Sequence, residues 1–214
     1  LVVLHPPGTP HALTEAERFT FPRQPQGKRL CIADFYRNKE RAQKEGFDVL
    51  PISLVTMGDT PSLVEAEMFA KHRYDDYLHF HGLAVEATEA LAEWLHKRVR
   101  HELGIAAADA PLVEQLFQQG YQGSRYSFGY PACPRLEDHV QLFRLLGADR
   151  IAVSLSEEFQ IVPEQSTAAI ISHHPHGRAH ASLYKVMPVQ ESMMRSWGVP
   201  VTIAEDILGP RMHE

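Results

Sequence analysis

The sequence predicts an α+β fold: a single domain in which a twisted antiparallel sheet is flanked by helices. Two observations support this prediction. Segments with strand character and segments with helix character come in blocks along the chain, whereas a doubly wound parallel sheet would alternate them strictly. In addition, short apolar segments bounded by turn formers contrast with a central region where apolar residues recur at helical spacing.

The N-terminal region is rich in proline and other turn-forming residues. Residues 1–27 therefore predict an arm or interdomain linker, and residues 28–214 are predicted to form the folded domain. Because the chain does not begin with Met, we expect a fragment of a longer protein. The first strands are predicted at residues 29–33 and 49–57, where apolar runs are closed by Asp34 and by Gly58.

The clearest predicted helix covers residues 84–103. Apolar residues recur there at four-residue steps, and Gly104 follows as a stop signal. These apolar residues are Ala87, Leu91, Leu95, Val99 and Leu103. Glu86, Glu89 and Glu93 fall on another side of this helix, where a ladder of acidic residues is most often a solvated face, with Glu93 placed to pair with Lys97.

Shorter elements are predicted on both sides of this helix. A helix starts near Pro61, with Asp59 or Thr60 as its cap. Further helices are predicted at residues 112–119, 136–146, 189–197 and 204–208, and further strands at residues 151–155, 167–172 and 181–186.

Composition excludes several classes of protein. Lys and Arg together number 21 and Asp and Glu number 27, so the formal charge of −6 disfavours non-specific binding to nucleic acid. No apolar run approaches the roughly 18 residues that a membrane helix needs, so we expect no membrane span. The first residues lack the basic and apolar regions of a secretion signal. Cys31 and Cys133 are expected to be the reduced thiols of a cytoplasmic protein.

Motifs of common catalytic and metal sites are missing from the sequence. It has no Gly-rich phosphate loop and no GxSxG nucleophile elbow. The densest group of histidines is His173, His174, His176 and His180, but Pro175 interrupts it and no cysteine lies near, so we expect no metal site in this chain. Cys133 is flanked by prolines, not by a helix N-terminus that would lower its pKa, and no catalytic residue is predicted.

Residues 125–134 form the segment with the most specific composition. Two prolines, one glycine and three aromatic residues predict a stiff loop, in which glycine permits a close approach of another group. Such a loop suits a flat heterocycle whose polar group is bound by Arg125. It equally suits a buried turn packed by its aromatic residues, and composition does not choose between the two.

The same segment resembles a known family. Residues 125–134 fit the pattern RxxxGYPACP, a hallmark of the C-terminal activation domain of cobalamin-dependent methionine synthase, and residues 120–123 are similar to the lead-in of that motif. Residues 31–35 (CIADF), the helical residues 89–96 (EALAEWLH) and the closing residues 163–175 also resemble the family. The resemblance extends over residues 27–208.

This resemblance implies a function. The domain of the family binds S-adenosylmethionine and presents its methyl group to a cobalamin held by a neighbouring module. The oxidised Co(II) form of the cobalamin is thereby reductively remethylated. The electron for this step comes from flavodoxin or a similar reductase. The full enzyme, a methyltransferase of methionine biosynthesis, moves a methyl group from methyltetrahydrofolate to homocysteine. The isolated fragment is not expected to form methionine. The alternative is a domain that caps the cobalamin module without binding a ligand.

The resemblance also implies roles for three charged residues. Arg125 matches an arginine that binds the carboxylate of S-adenosylmethionine, for which a guanidinium fork is well suited. Asp34 matches an aspartate that pairs with the amino group of the ligand, although a cap of a turn or helix is an alternative role. Glu89 matches a glutamate near the ligand, and this match favours a binding role over the solvated face.

Two further segments are implied to contact the ligand. The backbone of Gly129, Tyr130, Pro131 and Ala132 is expected to hold the adenine end by hydrogen bonds. Many members of the family carry a ligand-binding tyrosine where this chain has Ala179 followed by His180. Either these two residues still make backbone contacts or the site is altered at this point.

Overall fold

The computed structural model describes residues 2–4 and 17–175 of the chain, and within them it confirms the predicted α+β fold. The helices are α1 (Lys39–Glu45), α2 (Thr60–Ala70), α3 (Tyr74–Glu102), α4 (Val113–Phe117) and α5 (Asp138–Leu146). The strands are β1 (Val2–Leu4), β2 (Glu17–Phe19), β3 (Ile52–Thr56), β4 (Ser124–Tyr126), β5 (Ser154–Leu155), β6 (Ile161–Val162) and β7 (Ser166–Ser172). Short 3-10 helices occupy Ile32–Phe35, Ala106–Ala108 and Ala148–Ile151.

The central sheet, as far as the chain is described, consists of β3, β7 and β4 in that order, and all neighbours are antiparallel. Because side chains alternate across a strand, the sheet has two distinct faces. On one face, Arg125 of β4 lies opposite Ile171 of β7, and this face is covered by α3. On the other face, Tyr126 and Ile170 join the main hydrophobic core.

Part of the segment predicted as an N-terminal arm packs into this core. Strand β1 pairs with β2, and the side chain of Phe19 is fully buried. The Phe19 ring stacks against Phe128 with a centroid distance of 5.9 Å, and Phe21 is also buried. Residues 17–21 are therefore part of the folded body, because aromatic burial outweighs the turn-forming composition of the residues around them.

Helix α3 is longer than predicted, and its buried face is shifted by one position. The helix begins ten residues earlier, at Tyr74, and ends before Gly104, whose φ of +72° confirms the predicted stop. The predicted apolar stripe is only half-buried, and Trp94 is 59% exposed. The buried positions are Ala84, Thr88, Ala92, His96 and Arg100. Small residues at the first three of these positions let the helix approach the sheet closely.

The structure contradicts one predicted strand, confirms the start of one predicted helix and does not describe the last three predicted elements. The predicted strand at residues 29–33 is wrong, because Arg29 adopts a positive φ of 49° and the N–H of Asp34 donates to the carbonyl of Cys31 at 2.9 Å, which starts a 3-10 turn. Helix α2 starts at the expected place, with Pro61 in its first turn. The elements predicted at residues 181–186, 189–197 and 204–208 lie outside the described residues.

Two further findings concern the cysteines and the search for membrane-spanning helices. Cys31 and Cys133 are both buried and free, as expected for reduced thiols. Across residues 2–4 and 17–175, none of the helices is both long enough and apolar enough to span a membrane.

Candidate ligand-binding site

The guanidinium of Arg125 lies against two glutamates of α3. Its Nη2 donates to Oε2 of Glu89 at 3.2 Å, and its Nη2 and Nε donate to Oε1 of Glu93 at 2.8 and 3.2 Å. Residues four apart on a helix face the same side, so both carboxylates reach one cation. Burial disfavours the charged guanidinium, but Glu93 and Glu89 outweigh burial and hold the pKa of Arg125 above its ordinary value.

This arrangement corrects the interpretation of the acidic ladder. Glu93 does not belong to a solvated face paired with Lys97, because it bonds to Arg125 and its side chain is only 34% exposed. Glu89 is half-exposed and also reaches Arg125. Nη1 of Arg125 makes no hydrogen bond to any described residue, so one edge of the fork is available to a ligand.

A buried polar layer lies behind Arg125. The ring of Tyr121 stacks under the guanidinium of Arg100 at 4.0 Å, and Arg100 bonds to both carboxylate oxygens of Asp109. His96 is fully buried there, and Nδ1 lies 4.0 Å from Oε2 of Glu93. Burial, reinforced by the positive charges of Arg100 and Arg125, lowers the pKa of His96 to about 3, so the ring is neutral.

Asp34 lies in the 3-10 turn that precedes α1 and bonds to Arg23. Both of its carboxylate oxygens accept from the Arg23 guanidinium, one of them at 2.7 Å, and this bonding lowers the pKa of Asp34. Asp34 lies inside the turn, whose N-cap residue is Cys31, and the hydrogen-bond partner of its carboxylate among the described residues is Arg23. The neighbouring Phe35 stacks on Tyr126 at 6.5 Å, which places the turn beside β4, on the face of the sheet opposite to Arg125.

The loop after β4 is held as a tight turn. The N–H of Cys133 donates to the carbonyl of Tyr130 at 2.9 Å, with Pro131 at the second position, as in a type I or II turn. Gly129 has a φ of +90°, and a Cβ there would lie 2.9 Å from the Leu136 side chain, so the turn requires glycine. The carbonyl of Tyr130 is thus already bonded within the turn.

The thiol of Cys133 belongs to the same turn. It donates to the carbonyl of Ser127 at 2.8 Å, and burial raises its pKa to about 12. The residue is 2% exposed, so the thiol is a structural group in a protonated state.

A cleft of about 480 Å³ opens beside this loop. Ser127, Phe128 and the 42% exposed Tyr130 line one side of it, and Thr167 and Ala168 of β7 line another. Because β4 pairs only with residues 170–172 of β7, the backbone at the beginning of β7 has no β4 partner next to the cleft. The loop therefore combines the two alternatives left open by its composition: Tyr126 and Phe128 are buried, and Tyr130 faces a cleft.

The structure brings some of the predicted site residues together. Glu89 and Arg125 are in direct contact, Asp34 lies one residue from the ring that contacts β4, and Tyr130 lines the cleft. Ala179 and His180 lie outside the described residues. The closing segment reaches this region, because the ring of His174 stacks on Phe35 at 5.1 Å.

Sequence reasoning missed two charged partners in this region. Glu93 could have been found from its position one turn after Glu89. Arg23 could not, because it lies in the segment expected to be an arm. Around Arg125, the charges of Glu89 and Glu93 give a formal charge of 1 − 2 = −1, and Arg23 and Asp34 neutralise each other as a separate pair. Such a site suits a ligand with a carboxylate and a net positive charge.

Comparison with known proteins identifies the family. Residues 10–197 match the family described as vitamin B12 dependent methionine synthase, activation domain. Methionine synthases of Mycobacterium tuberculosis (strain ATCC 25618 / H37Rv) and Mycobacterium leprae (strain TN) are 50% and 49% identical over 168 and 165 residues, which are 75% and 74% of this chain. The chain spans 14% of the length of each of these curated relatives.

A solved structure supports the same assignment. It is described as "Crystal Structure of the MetH Reactivation Domain bound to AdoHcy", and it matches with a TM-score of 0.69 and 28% sequence identity over 91% of this chain and 61% of that chain. The predicted resemblance is therefore confirmed by sequence and by fold. The chain belongs to the family of vitamin B12 dependent methionine synthase activation domains.

Proposed function

We propose that this chain binds S-adenosylmethionine and presents its methyl group to a cobalamin held by a neighbouring module of methionine synthase. The observation that supports this most is the Arg125 guanidinium, which two glutamates hold in place while one edge remains available. A related reactivation domain was solved with AdoHcy, which differs from S-adenosylmethionine by the transferred methyl group and the sulfonium charge.

The residues fit the chemistry of this ligand. At neutral pH S-adenosylmethionine carries an ammonium, a carboxylate and a sulfonium, for a net charge of +1, which complements the −1 of the site. Arg125 binds the carboxylate through the N–H groups of Nη1 in a charge-assisted hydrogen bond, because Nε and Nη2 already donate to Glu93 and Glu89. Asp34 pairs with the ammonium, and Glu89 and Glu93 favour the sulfonium through their negative charge.

The turn after β4 receives the adenine end. Gly129 permits the turn, and the segment of Tyr130, Pro131 and Ala132 offers backbone groups and the exposed Tyr130 ring beside the cleft. The turn is fixed by its internal hydrogen bonds, so little ordering is needed when a ligand binds. Ala179 and His180, which lie outside the described residues, are the remaining residues from which backbone contacts to the ligand are proposed.

The chain acts as one part of a larger reaction cycle. Cobalamin, when bound by the neighbouring module, supplies the cobalt centre that accepts the methyl group. Flavodoxin or a similar reductase delivers the electron, and the complete enzyme works in the cytoplasm. The isolated chain forms no methionine from homocysteine and methyltetrahydrofolate, and any turnover by this chain alone would contradict this assignment of parts.

Calorimetric titration with S-adenosylmethionine tests the proposal. We expect saturable binding and a higher melting temperature with ligand. Arg125→Ala should weaken binding by about 1.5–3 kcal/mol, the typical value of a hydrogen bond to a charged group. Glu86→Ala is the control, because Glu86 is an exposed residue of α3, the helix that carries Glu89 and Glu93. A parent protein that gives neither heat nor stabilisation is instead a capping domain that binds no ligand.

A further inference from the structure

We infer a binding site for a divalent transition metal ion, separate from Arg125, where α2, α3 and the residue preceding Gln165 meet. Glu65, His81 and Glu164 each place one ligand atom in this region, and these atoms all lie within 4.8 Å of one another. None of these residues is among the proposed S-adenosylmethionine contacts, although Glu164 lines the cleft beside which the adenine end is proposed to bind.

The central group of the site is a buried carboxylate whose one ion-pair partner among the described residues is His81, and only when that ring is protonated. The Glu65 side chain is 7% exposed, and among the described residues neither Glu65 nor Glu164 makes an ion pair with Lys or Arg. Buried charges in proteins are generally paired or bound to metal ions. The two carboxylates carry a formal charge of −2, which a divalent ion neutralises when His81 is the neutral imidazole ligand.

The geometry of two ligands already fits a tetrahedral ion. Nδ1 of His81 lies 3.2 Å from Oε1 of Glu65. Two ligand atoms at about 2.0 Å from a tetrahedral Zn²⁺ are about 3.3 Å apart. The His81 ring also stacks on Tyr77 with a centroid distance of 5.9 Å, which restricts its rotation.

An outer layer of hydrogen bonds orients Glu65. Nε2 of Gln165 donates to both Glu65 oxygens, at 2.9 and 3.0 Å, and the Ser62 hydroxyl donates to Oε1 of Gln165 at 2.9 Å. Gln165 is 1% exposed, so the hydrogen bonds that orient Glu65 are shielded from solvent. Carboxylates that bind metal ions are commonly held in this way by a second layer of hydrogen bonds.

Glu164, the third proposed ligand, gives an ion access to the site from solvent. Glu164 is exposed and lies at the edge of the 480 Å³ cleft, so an ion can enter from solvent and keep a fourth position for water. An imidazole with carboxylates suits Zn²⁺ and other first-row transition metals, whereas Mg²⁺ and Ca²⁺ prefer oxygen ligands alone. Of the histidine run that the sequence presents most visibly, the described members His173 and His174 are not part of this group.

Titration of the chelator-treated 214-residue chain with Zn²⁺ tests the inference. We expect one saturable site by calorimetry, no comparable binding of Mg²⁺, and thermal stabilisation by Zn²⁺. His81→Gln should abolish this binding. Glu164→Gln should weaken the affinity for Zn²⁺ by about tenfold or more, because even the loss of a group that only hydrogen-bonds to a metal ligand has an effect of this size. Both side chains are at least partly exposed, so the variants are expected to fold.

His79→Gln is the matched control, since His79 is an exposed histidine on the same helix and lies outside the group. Its affinity for Zn²⁺ should equal that of the parent. The inference is overturned if the parent shows no one-to-one binding, in which case Glu65 and His81 form a simple hydrogen-bonded pair. It is equally overturned if binding survives in both His81→Gln and Glu164→Gln, because the ion then lies elsewhere in the chain.

Discussion

Arg100 and Arg125 both bond to carboxylates near the buried His96, but they differ in their access to solvent. Arg100 and Asp109 have side chains that are 2% and 11% exposed, and they form two hydrogen bonds of 2.8 and 2.9 Å. Arg125 is 15% exposed, and its partners Glu89 and Glu93 are 50% and 34% exposed. The first pair is almost fully buried, and the second is partly exposed among the described residues.

This difference separates a structural role from a binding role. An enclosed ion pair cannot exchange its partner for a ligand, and it is costly to break because one charge remains buried. A guanidinium with one open edge can accept a ligand carboxylate while its glutamates keep it oriented. Residue type alone does not distinguish these roles, since both sites consist of arginine and acidic residues near α3.

The largest expected effect concerns the enclosed pair. Arg100→Leu leaves Asp109 without its cation and should lower the free energy of unfolding by about 3–5 kcal/mol. Arg98→Ala, which removes an exposed pair with Glu102 on the same helix, should cost about 0.3–0.5 kcal/mol. Urea unfolding of both variants measures the difference. Equal costs would mean that enclosure does not distinguish the pairs.

The pH dependence of stability should report on His96, which lies between the two arginines. Its pKa is about 3 in the native state and 6.5 ordinarily, so between these values the unfolded chain binds a proton that the native protein does not. Stability should therefore fall with decreasing pH in this window, by up to about 1.4 kcal/mol per unit. His96→Leu should remove this contribution, which urea unfolding at pH 6 and pH 4 detects.

His79→Leu provides the control for this pH dependence, because His79 is exposed on the same helix. Its stability should follow the same pH dependence as the parent. If His96→Leu loses as much stability as the parent between pH 6 and pH 4, then His96 is already protonated in the native state. In that case water has access to the layer behind Arg125.

The role of charge at the open site can be isolated with Glu93→Gln. The amide oxygen still accepts from Arg125, but the formal charge of the site rises from −1 to 0. We expect the affinity for S-adenosylmethionine to fall about tenfold, which corresponds to about 1.4 kcal/mol. Glu86→Gln makes the same change on an exposed part of α3 and should leave the affinity unaltered. Equal affinity in both variants would exclude an electrostatic role of Glu93.

The smallest expected change in stability belongs to Asp34→Asn. Asp34 is half-exposed, so the substitution should alter the free energy of unfolding by no more than about 0.5 kcal/mol. Its affinity for S-adenosylmethionine should nevertheless fall, because the ligand ammonium loses its counter-charge. Thermal melting without ligand and calorimetric titration check the two parts. A variant that binds like the parent would remove Asp34 from the site.

The sequence predicted the elements whose signal is local. Pro61 marked the start of α2, Gly104 marked the end of α3, and the motif around Gly129 identified both the tight turn and the family. These residues restrict the backbone themselves, so their effect does not depend on distant contacts. The class of fold followed from the order of the elements.

The missed features depend on contacts between distant segments. The buried stripe of α3 includes His96 and Arg100, which are polar and become core residues only through Tyr121 and Asp109. Glu93 was misassigned because its partner, Arg125, lies 32 residues away. Phe19 was assigned to an arm because the ring against which it stacks belongs to the loop after β4.

The position of β7 between β3 and β4 has a consequence for the order of folding. Register pairs such as Thr56 with Ser166 and Ile52 with Ile170 join residues more than 100 positions apart. Such distant pairings raise the contact order and slow folding, because a long loop must close before the contact forms. During synthesis, β3 and β4 leave the ribosome before β7 exists, and their exposed edges remain unpaired until the β7 segment, residues 166–172, emerges.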